Sequence, residues 1–326
     1  MKKNIALLAG GYSGEFEISI RSSHQIAENI DRGKYNVYLI VLSREGWYYE
    51  SENGRVEVDK NDFSLTIEGE KIKFDAAYIT IHGTPGEDGL LQGYLDMMQI
   101  PYTTCNALVS ALTFDKSICN SVVRDFGFVN VARNVLTCKD CALTKEEVLQ
   151  RVKLPVFVKP AAGGSSIGMS KVCQEEDLMS AIEKAFGVCE RVLIEEYIKG
   201  REFSCGVLEL EKEVKALPVT EIVSMTDFFD YDAKYNGKSK ELTPAPIDKN
   251  LSDRIQSLTE KIYKALNCSG VCRVDFIYNE EQDKLYFLEI NTTPGQSEQS
   301  IVPQQVRAIG KDTRWLYNTI LEQLNL

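Results

Sequence analysis

The stretch VCRVDFIYNEEQDKLYFLEINTTPG, residues 271–295, decides the fold. Two runs rich in β-branched and aromatic residues flank the polar segment NEEQD, the pattern of a β-hairpin. With the turn centred on residue 282, Asp275 stands opposite Glu289 and Arg273 opposite Asn291. Val274, Phe276 and Tyr278 then share the other face with Tyr286, Leu288 and Ile290, which makes that face wholly apolar. Asp and Asn are poor strand formers, so their place in otherwise good strands needs a reason. A solvated face with salt bridges is one reading. Two carboxylates and an amide oxygen on adjacent strands also suit magnesium, a hard cation that takes oxygen ligands and keeps substrate phosphates among them. Arg273 beside them would hold an anion by charge-assisted hydrogen bonds. On that second reading the patch is a metal–phosphate platform.

Such a platform needs cations and backbone donors from elsewhere, and FVKPAAGGSSIG (157–168) supplies both. Lys159 ends a buried strand. Gly163, Gly164, Ser165 and Ser166 allow close backbone approach and add hydroxyls. A Gly/Ser loop is more often a plain turn, and the chain has neither the Walker pattern nor G-x-G-x-x-G. Lys116, in TFDKSICN, is a second candidate cation, although a single helical lysine is ordinarily a surface residue.

The 326 residues exceed one typical core, so two or three domains are expected. The 37 Lys and Arg against 48 Asp and Glu give a net charge of −11, which argues against a broad nucleic-acid footprint. The apolar run Ile5–Ala9 is too short for a secretory signal and no run could cross a bilayer, so a cytoplasmic protein is expected. Nine scattered cysteines read as reduced thiols. Cys138-x-x-Cys141 is the only close pair, and without a second pair or a nearby His it does not predict zinc.

The periodicity predicts strands at 3–9, 36–42 and 74–81 around a helix at 14–30, hence a parallel α/β sheet, with the first domain ending near 104 after a short strand at 100–102. A helix over 110–126, strands within 129–137, 154–160, 169–173 and 191–198, and two further helices make an α+β unit over 105–196. The last unit, 197–326, contains the hairpin, an amphipathic helix at 251–266, and a polar segment, 226–246, read as a lid.

Taken in order, Lys116, FVKPAAGGSSIG, VLIEEYIKGREFS (192–204), GVCRVDF (270–276) and FLEINTTPGQSEQSIVP (287–303) resemble the ATP-grasp carboxylate–amine ligases. With AGGYSGEFEIS (9–19), IHGTPGEDGLLQG (81–93) and YDAKY (231–235), the resemblance narrows to the D-alanine–D-alanine ligase family and covers nearly the whole chain. It implies a three-domain ATP-grasp architecture, a homodimer, and ATP-driven joining of two D-alanines through an acyl phosphate, for peptidoglycan precursors. It implies two magnesium ions on Asp275, Glu289 and Asn291, with manganese a substitute. Lys116, Lys159 and Lys234 would meet the phosphates, and Ser165 and Ser166 belong to the phosphate-covering loop. Glu195, Glu196, Tyr197 and Ile198 would meet adenine through their backbone, and Glu202 the ribose. Glu15 would anchor the first D-alanine's ammonium and form a lid-closing triad with Ser165 and Tyr235. His82 would lie near the substrate. Arg273 and the Gly295 N–H would stabilise the tetrahedral intermediate, while Ser300 and the backbone of Ile301 would hold the second carboxylate. Tyr235 favours D-alanine, because the D-lactate-using relatives have a lid without this tyrosine.

Three positions depart from the pattern. The first motif has Ala9, not a His, before Gly10-Gly11, which the family tolerates. Gly163 stands where a charged residue often precedes Gly-Ser-Ser, and Glu196 where lysine often follows the first Glu of the hinge. A different ATP-grasp ligase would share the platform, but AGGYSGEFEIS and the 226–246 lid carry substrate and separate the two. A nicotinamide oxidoreductase is disfavoured by the missing G-x-G-x-x-G. A nucleotide-binding regulator without catalysis is disfavoured by competent residues at every chemical position.

Overall fold

The computed structural model describes residues 2–51, 54–164, 167–224 and 239–326. The chain opens with β1 (Lys3–Gly10), α1 (Phe16–Asn29) and β2 (Tyr35–Leu42), followed by β3 (Trp47–Ser51), β4 (Gly54–Glu57), the pair β5 (Ser64–Ile67) and β6 (Glu70–Lys73), and β7 (Ala76–Ile79). The first sheet has the order β4-β3-β2-β1-β7, with β1 parallel to both β2 and β7. Both faces of β1 are covered, which explains its unbroken apolar run. Ile5 and Leu7 pack in one core with Leu316 and Tyr317, whereas Ala6 and Leu8 pack in another with Phe63 and Leu91. The C-terminal helices therefore fold back onto the first sheet. Gly10 ends β1 with φ +92°, and an added Cβ would lie 2.5 Å from the Leu42 carbonyl oxygen. Only glycine fits there, and the chain turns sharply towards α1. Among the elements that the periodicity misses are β3 to β6, which are short and partly exposed. The expected strand at 100–102 is a single bridge between Ala77 and Tyr102.

After α2 (Leu90–Met97) come α3 (Ala107–Phe114) and α4 (Lys116–Asp125). The helix expected over 110–126 is thus two. Asp115 breaks it: its backbone is extended and its carboxylate accepts from the N–H groups of Ser117 and Ile118, capping α4. Strand β8 (Asn130–Val131) pairs in parallel with the hairpin's second strand. The stretch 105–131, grouped by sequence with the central unit, packs on the C-terminal sheet instead: Cys105, Val109, Val123 and Val129 share a core with Phe203 and Phe276.

The central sheet is antiparallel, β11-β10-β12-β9, built from β9 (Asn134–Cys138), β10 (Val156–Pro160), β11 (Ser170–Val172) and β12 (Arg191–Glu196). Between these strands lie α5 (Lys145–Leu149) and α6 (Leu178–Phe186), and α6 closes the sheet's apolar face through Leu178 and Ile182. The largest sheet combines β13 (Arg201–Leu210), β14 (Glu213–Ala216), β15 (Thr220–Ser224), β16 (Ser239–Leu242), β17 (Cys272–Asn279) and β18 (Lys284–Asn291) with β8. Helix α7 (Lys249–Ala265) covers it, and α8 (Ile301–Ala308) and α9 (Thr313–Glu322) complete the chain. The expected lid at 226–246 lies largely outside the described residues; within the described part, β16 adds an edge strand and pairs with β15.

The β17–β18 hairpin pairs Asp275 with Glu289 and Arg273 with Asn291, as the spacing predicts. Beyond them the register shifts and Phe276 pairs with Phe287, which leaves Leu288 as the extra residue of a bulge. A bulge inverts the alternation. Leu285 and Phe287, rather than Tyr286 and Leu288, therefore join Val274, Phe276 and Ile290 in the core. Tyr286 and Leu288 turn to the other side and line a cleft.

Candidate active site

That cleft has a volume of about 960 Å³ and runs between the central and largest sheets, reaching the first sheet's loops. Among the described residues, every expected site residue lines it: Glu15, His82, Lys116, Lys159, the Glu195–Ile198 hinge, Glu202, Arg273, Asp275, Glu289, Asn291, Gly295, Ser300 and Ile301. The expected roles of Ser165, Ser166, Lys234 and Tyr235 fall outside the described residues.

The cleft's acidic end is the hairpin patch. Asp275 is buried and accepts from Ser204 Oγ at 2.5 Å, from Arg273 Nη2 at 2.8 Å and from Asn291 Nδ2 at 3.3 Å. Arg273 forks onto it through Nε (3.0 Å) and Nη2, which leaves Nη1 outside the pairing. Burial works against the guanidinium's charge, but Asp275, Glu289 and Glu241 together push its pKa up. The donor set fits magnesium: two carboxylates and an amide meet from paired strands, and Asn291 gives its Nδ2 to Asp275, so its oxygen is the atom it can offer a cation.

The cationic side lies opposite. The break at Asp115 puts Lys116 in the first turn of α4, where its Nζ donates to the Gly163 carbonyl at 2.6 Å. Lys159, from β10, pairs with Glu195 across to β12 at 2.9 Å. Glu195 is 5% exposed, and its other oxygen accepts from Asn120 Nδ2. Its side chain thus serves Lys159. The Glu196 carboxylate accepts the Lys153 N–H, and the Glu196 and Tyr197 amides donate to the carbonyls of Arg133 and Pro155.

At the first sheet, Ser13 Oγ donates to the His82 carbonyl and accepts from the Glu15 N–H, tying the Glu15 turn to the end of the first sheet. Burial pushes the His82 pKa down, against the pull of Glu15 and a backbone hydrogen bond with Thr293. Its buried Nε2 has no partner among the described residues, which is costly unless a ligand provides one. Sequence reasoning missed Glu87, whose carboxyl is raised to about 8, chiefly by burial, with Glu15 and Glu289 adding to it. Its place five residues after His82 in the same quoted motif is the signal that could have found it. Also missed was Glu241, which burial raises and which Gln304 Nε2 contacts at 2.5 Å. The pairing of β16 with β15 brings it there, and no local pattern shows this.

The last wall is 292–301. Gly295 leaves no space for a side chain, since a Cβ would stand 2.8 Å from Ser300 Oγ. Ser300 begins α8 but makes no side-chain cap; its Oγ pairs with Ser297 Oγ at 2.8 Å. The first-turn N–H groups of α8 lack that cap, and such an end attracts a carboxylate.

Two family models match the chain: "D-ala D-ala ligase N-terminus" over residues 4–105 and "D-ala D-ala ligase C-terminus" over residues 122–323. The chain belongs to the D-alanine–D-alanine ligase family. A D-alanine–D-alanine ligase of Phocaeicola vulgatus is 46% identical over 323 residues, covering 99% of each chain. One from Porphyromonas gingivalis is 48% identical over 98% of each. Among solved structures, the VanG D-Ala:D-Ser ligase of Enterococcus faecalis superposes with a TM-score of 0.88 at 33% identity, covering 99% of this chain and all of that one. The Bacillus anthracis D-alanine–D-alanine ligase complexed with ATP gives 0.78 at 28% identity, over 99% of this chain and 97% of that one. The fold is thus that of the ATP-grasp ligases, mixed α/β with a parallel core in the first sheet. No helix among the described residues is long and apolar enough to cross a membrane.

Proposed function

We propose that the protein joins two D-alanine molecules at the expense of ATP, giving D-alanyl-D-alanine, ADP and phosphate in the cytoplasm. One observation carries the reading: a single cleft holds an acidic oxygen patch, two lysines opposite it, and a helix N-terminus suited to a carboxylate. ATP would lie between the central and C-terminal sheets, its base beside Ile198 and the apolar floor of Ile277, Tyr286 and Leu288, its ribose at Glu202. Lys116 and Lys159, with Lys234, would meet the phosphates under the Ser165–Ser166 loop. Asp275, Glu289 and Asn291 would hold magnesium, which when bound neutralises charge on the phosphates.

Glu15 would fix the first D-alanine's ammonium, and Ser165 and Tyr235 would close the lid over it. The substrate carboxylate attacks the γ-phosphorus and ADP leaves. Ser300 and the first-turn amides of α8 at Ile301 hold the second D-alanine's carboxylate, so that its amine faces the acyl carbon. As that carbon becomes tetrahedral, Arg273 Nη1 and the Gly295 N–H stabilise the oxyanion. The C–O bond then breaks and phosphate departs. Neutral His82 offers the unpartnered Nε2 to the first substrate. The divisions at 104 and 196 are proposed as the limits of three ligase domains along the chain, with 105–131 docked on the C-terminal sheet. A homodimer is proposed through α2 and α3, which expose Leu90, Met97 and Leu108.

Carboxyl-labelled D-alanine tests this chemistry. One carboxyl oxygen-18 per turnover should appear in phosphate, because the bond broken is carbon to carboxyl oxygen; unlabelled phosphate would exclude the acyl phosphate. The likeness to the VanG D-Ala:D-Ser ligase favours one further reading, D-serine as second substrate.

A further inference from the structure

Three thiols meet behind the hairpin, two of them from one short loop and the third from far away in sequence. The Sγ atoms of Cys105, Cys268 and Cys272 all lie within 4.8 Å of one another. Cys105 and Cys272 are fully buried with their sulfurs 3.7 Å apart, and Cys268 is half-buried. Tetrahedral zinc with Zn–S bonds of about 2.3 Å sets its sulfurs about 3.8 Å apart, so this separation is already that of co-ligands.

The loop that carries two of the sulfurs is built round the third. Between α7 and β17 the chain turns through Asn267 and Gly270, both with positive φ, at +57° and +67°. A Cβ at Gly270 would fall 2.0 Å from the Thr103 carbonyl oxygen, so the loop presses against the segment that leads into Cys105. Ser269 Oγ donates to the Thr104 carbonyl, and Tyr263 Oη donates to Gly270 O. In this conformation the Ser269 N–H points at Cys105 Sγ, 3.4 Å away. A backbone N–H on sulfur is the support that a thiolate ligand needs.

We propose that Cys105, Cys268 and Cys272 bind one thiophilic divalent cation, zinc being the one that the spacing fits. Protons leave the thiols as sulfur–metal bonds form, and no redox step is involved. Three protein ligands leave a fourth position, which the half-buried side at Cys268 opens to a water and to the ion's entry. The site ties the segment after the first sheet to the start of β17, one residue before Arg273. Its role is structural, and it is separate from the magnesium patch.

Cadmium serves as the probe. The full-length protein, kept reduced and freed of metal, should take up one equivalent with a sulfur-to-metal charge-transfer band. Zinc should displace it and raise the thermal midpoint. Cys268→Ser should remove at least nine-tenths of the band and the zinc shift, and Cys105→Ser should do the same if it folds. Cys141→Ser should leave both intact. The proposal fails if folded wild-type protein shows no band at one equivalent. It fails equally if the band survives Cys268→Ser, or disappears in Cys141→Ser.

Discussion

Lys159 Nζ lies 2.9 Å from Glu195 Oε1, and the same carboxylate accepts Asn120 Nδ2 through its other oxygen. The pair crosses from β10 to β12 and is nearly closed to solvent. It sets a charge at a fixed point of the cleft wall, where a flexible surface lysine could not stay. Removing the carboxylate strands a buried cation. Glu195→Ala should cost roughly 3–5 kcal/mol of stability. Urea unfolding of the variant measures it, and Glu195→Gln, which retains an acceptor oxygen, should cost less.

Glu289 pairs with Asp275 across the hairpin and belongs to the proposed magnesium set. Glu289→Gln keeps the shape and removes the charge. Turnover should fall by roughly 10²-fold or more, the scale for losing one electrostatic stabiliser of a transition state. The thermal midpoint should hardly move, and more magnesium should be needed. Steady-state rates across a magnesium series check this, and full activity at low magnesium would contradict the assignment.

Gly295 and Ser300 are in such close approach that a methyl group must displace one of them. Gly295→Ala should lower kcat/KM for D-alanine by roughly 10²-fold, the effect of a small misplacement at a reacting centre. KM for ATP should stay put, since the contacts proposed for the base and phosphates lie elsewhere in the cleft. Rates with each substrate varied in turn separate the two.

Glu87 gives a pH signature. Its carboxyl titrates near 8 in the fold, raised by burial from an ordinary value of 4.5. The folded protein therefore keeps a proton that the unfolded chain releases. This stabilisation is complete below about 4.5 and is lost as pH rises through about 8. Glu87→Gln cannot lose it. The variant's thermal midpoint relative to the parent should climb steadily from pH 5 to pH 8, and a flat difference would sink the argument.

The hairpin's polar register was legible because strand period and turn position fix cross-strand partners without tertiary information. Its apolar register was not. The bulge at Leu288 exchanges Tyr286 and Leu288 for Leu285 and Phe287 in the core, and nothing in KLYFLEI marks the extra residue. The helix break at Asp115 had a visible sign, an Asp ahead of a new apolar period, but the surrounding pattern also fits one helix. Most of the cleft was legible through motifs in order. Glu241 and the meeting of Cys105 with the Cys268–Cys272 loop were not, because segments distant in sequence bring them together.

The most direct test of the central claim is phosphate release from ATP and magnesium, with D-alanine, L-alanine, D-lactate and D-serine supplied singly and each paired with D-alanine. Release with D-alanine alone, matched by equimolar dipeptide, is the predicted result. Release only when D-lactate or D-serine accompanies D-alanine would contradict the assignment of the second substrate, and silence throughout in a folded, ATP-binding protein would contradict the ligase reading itself.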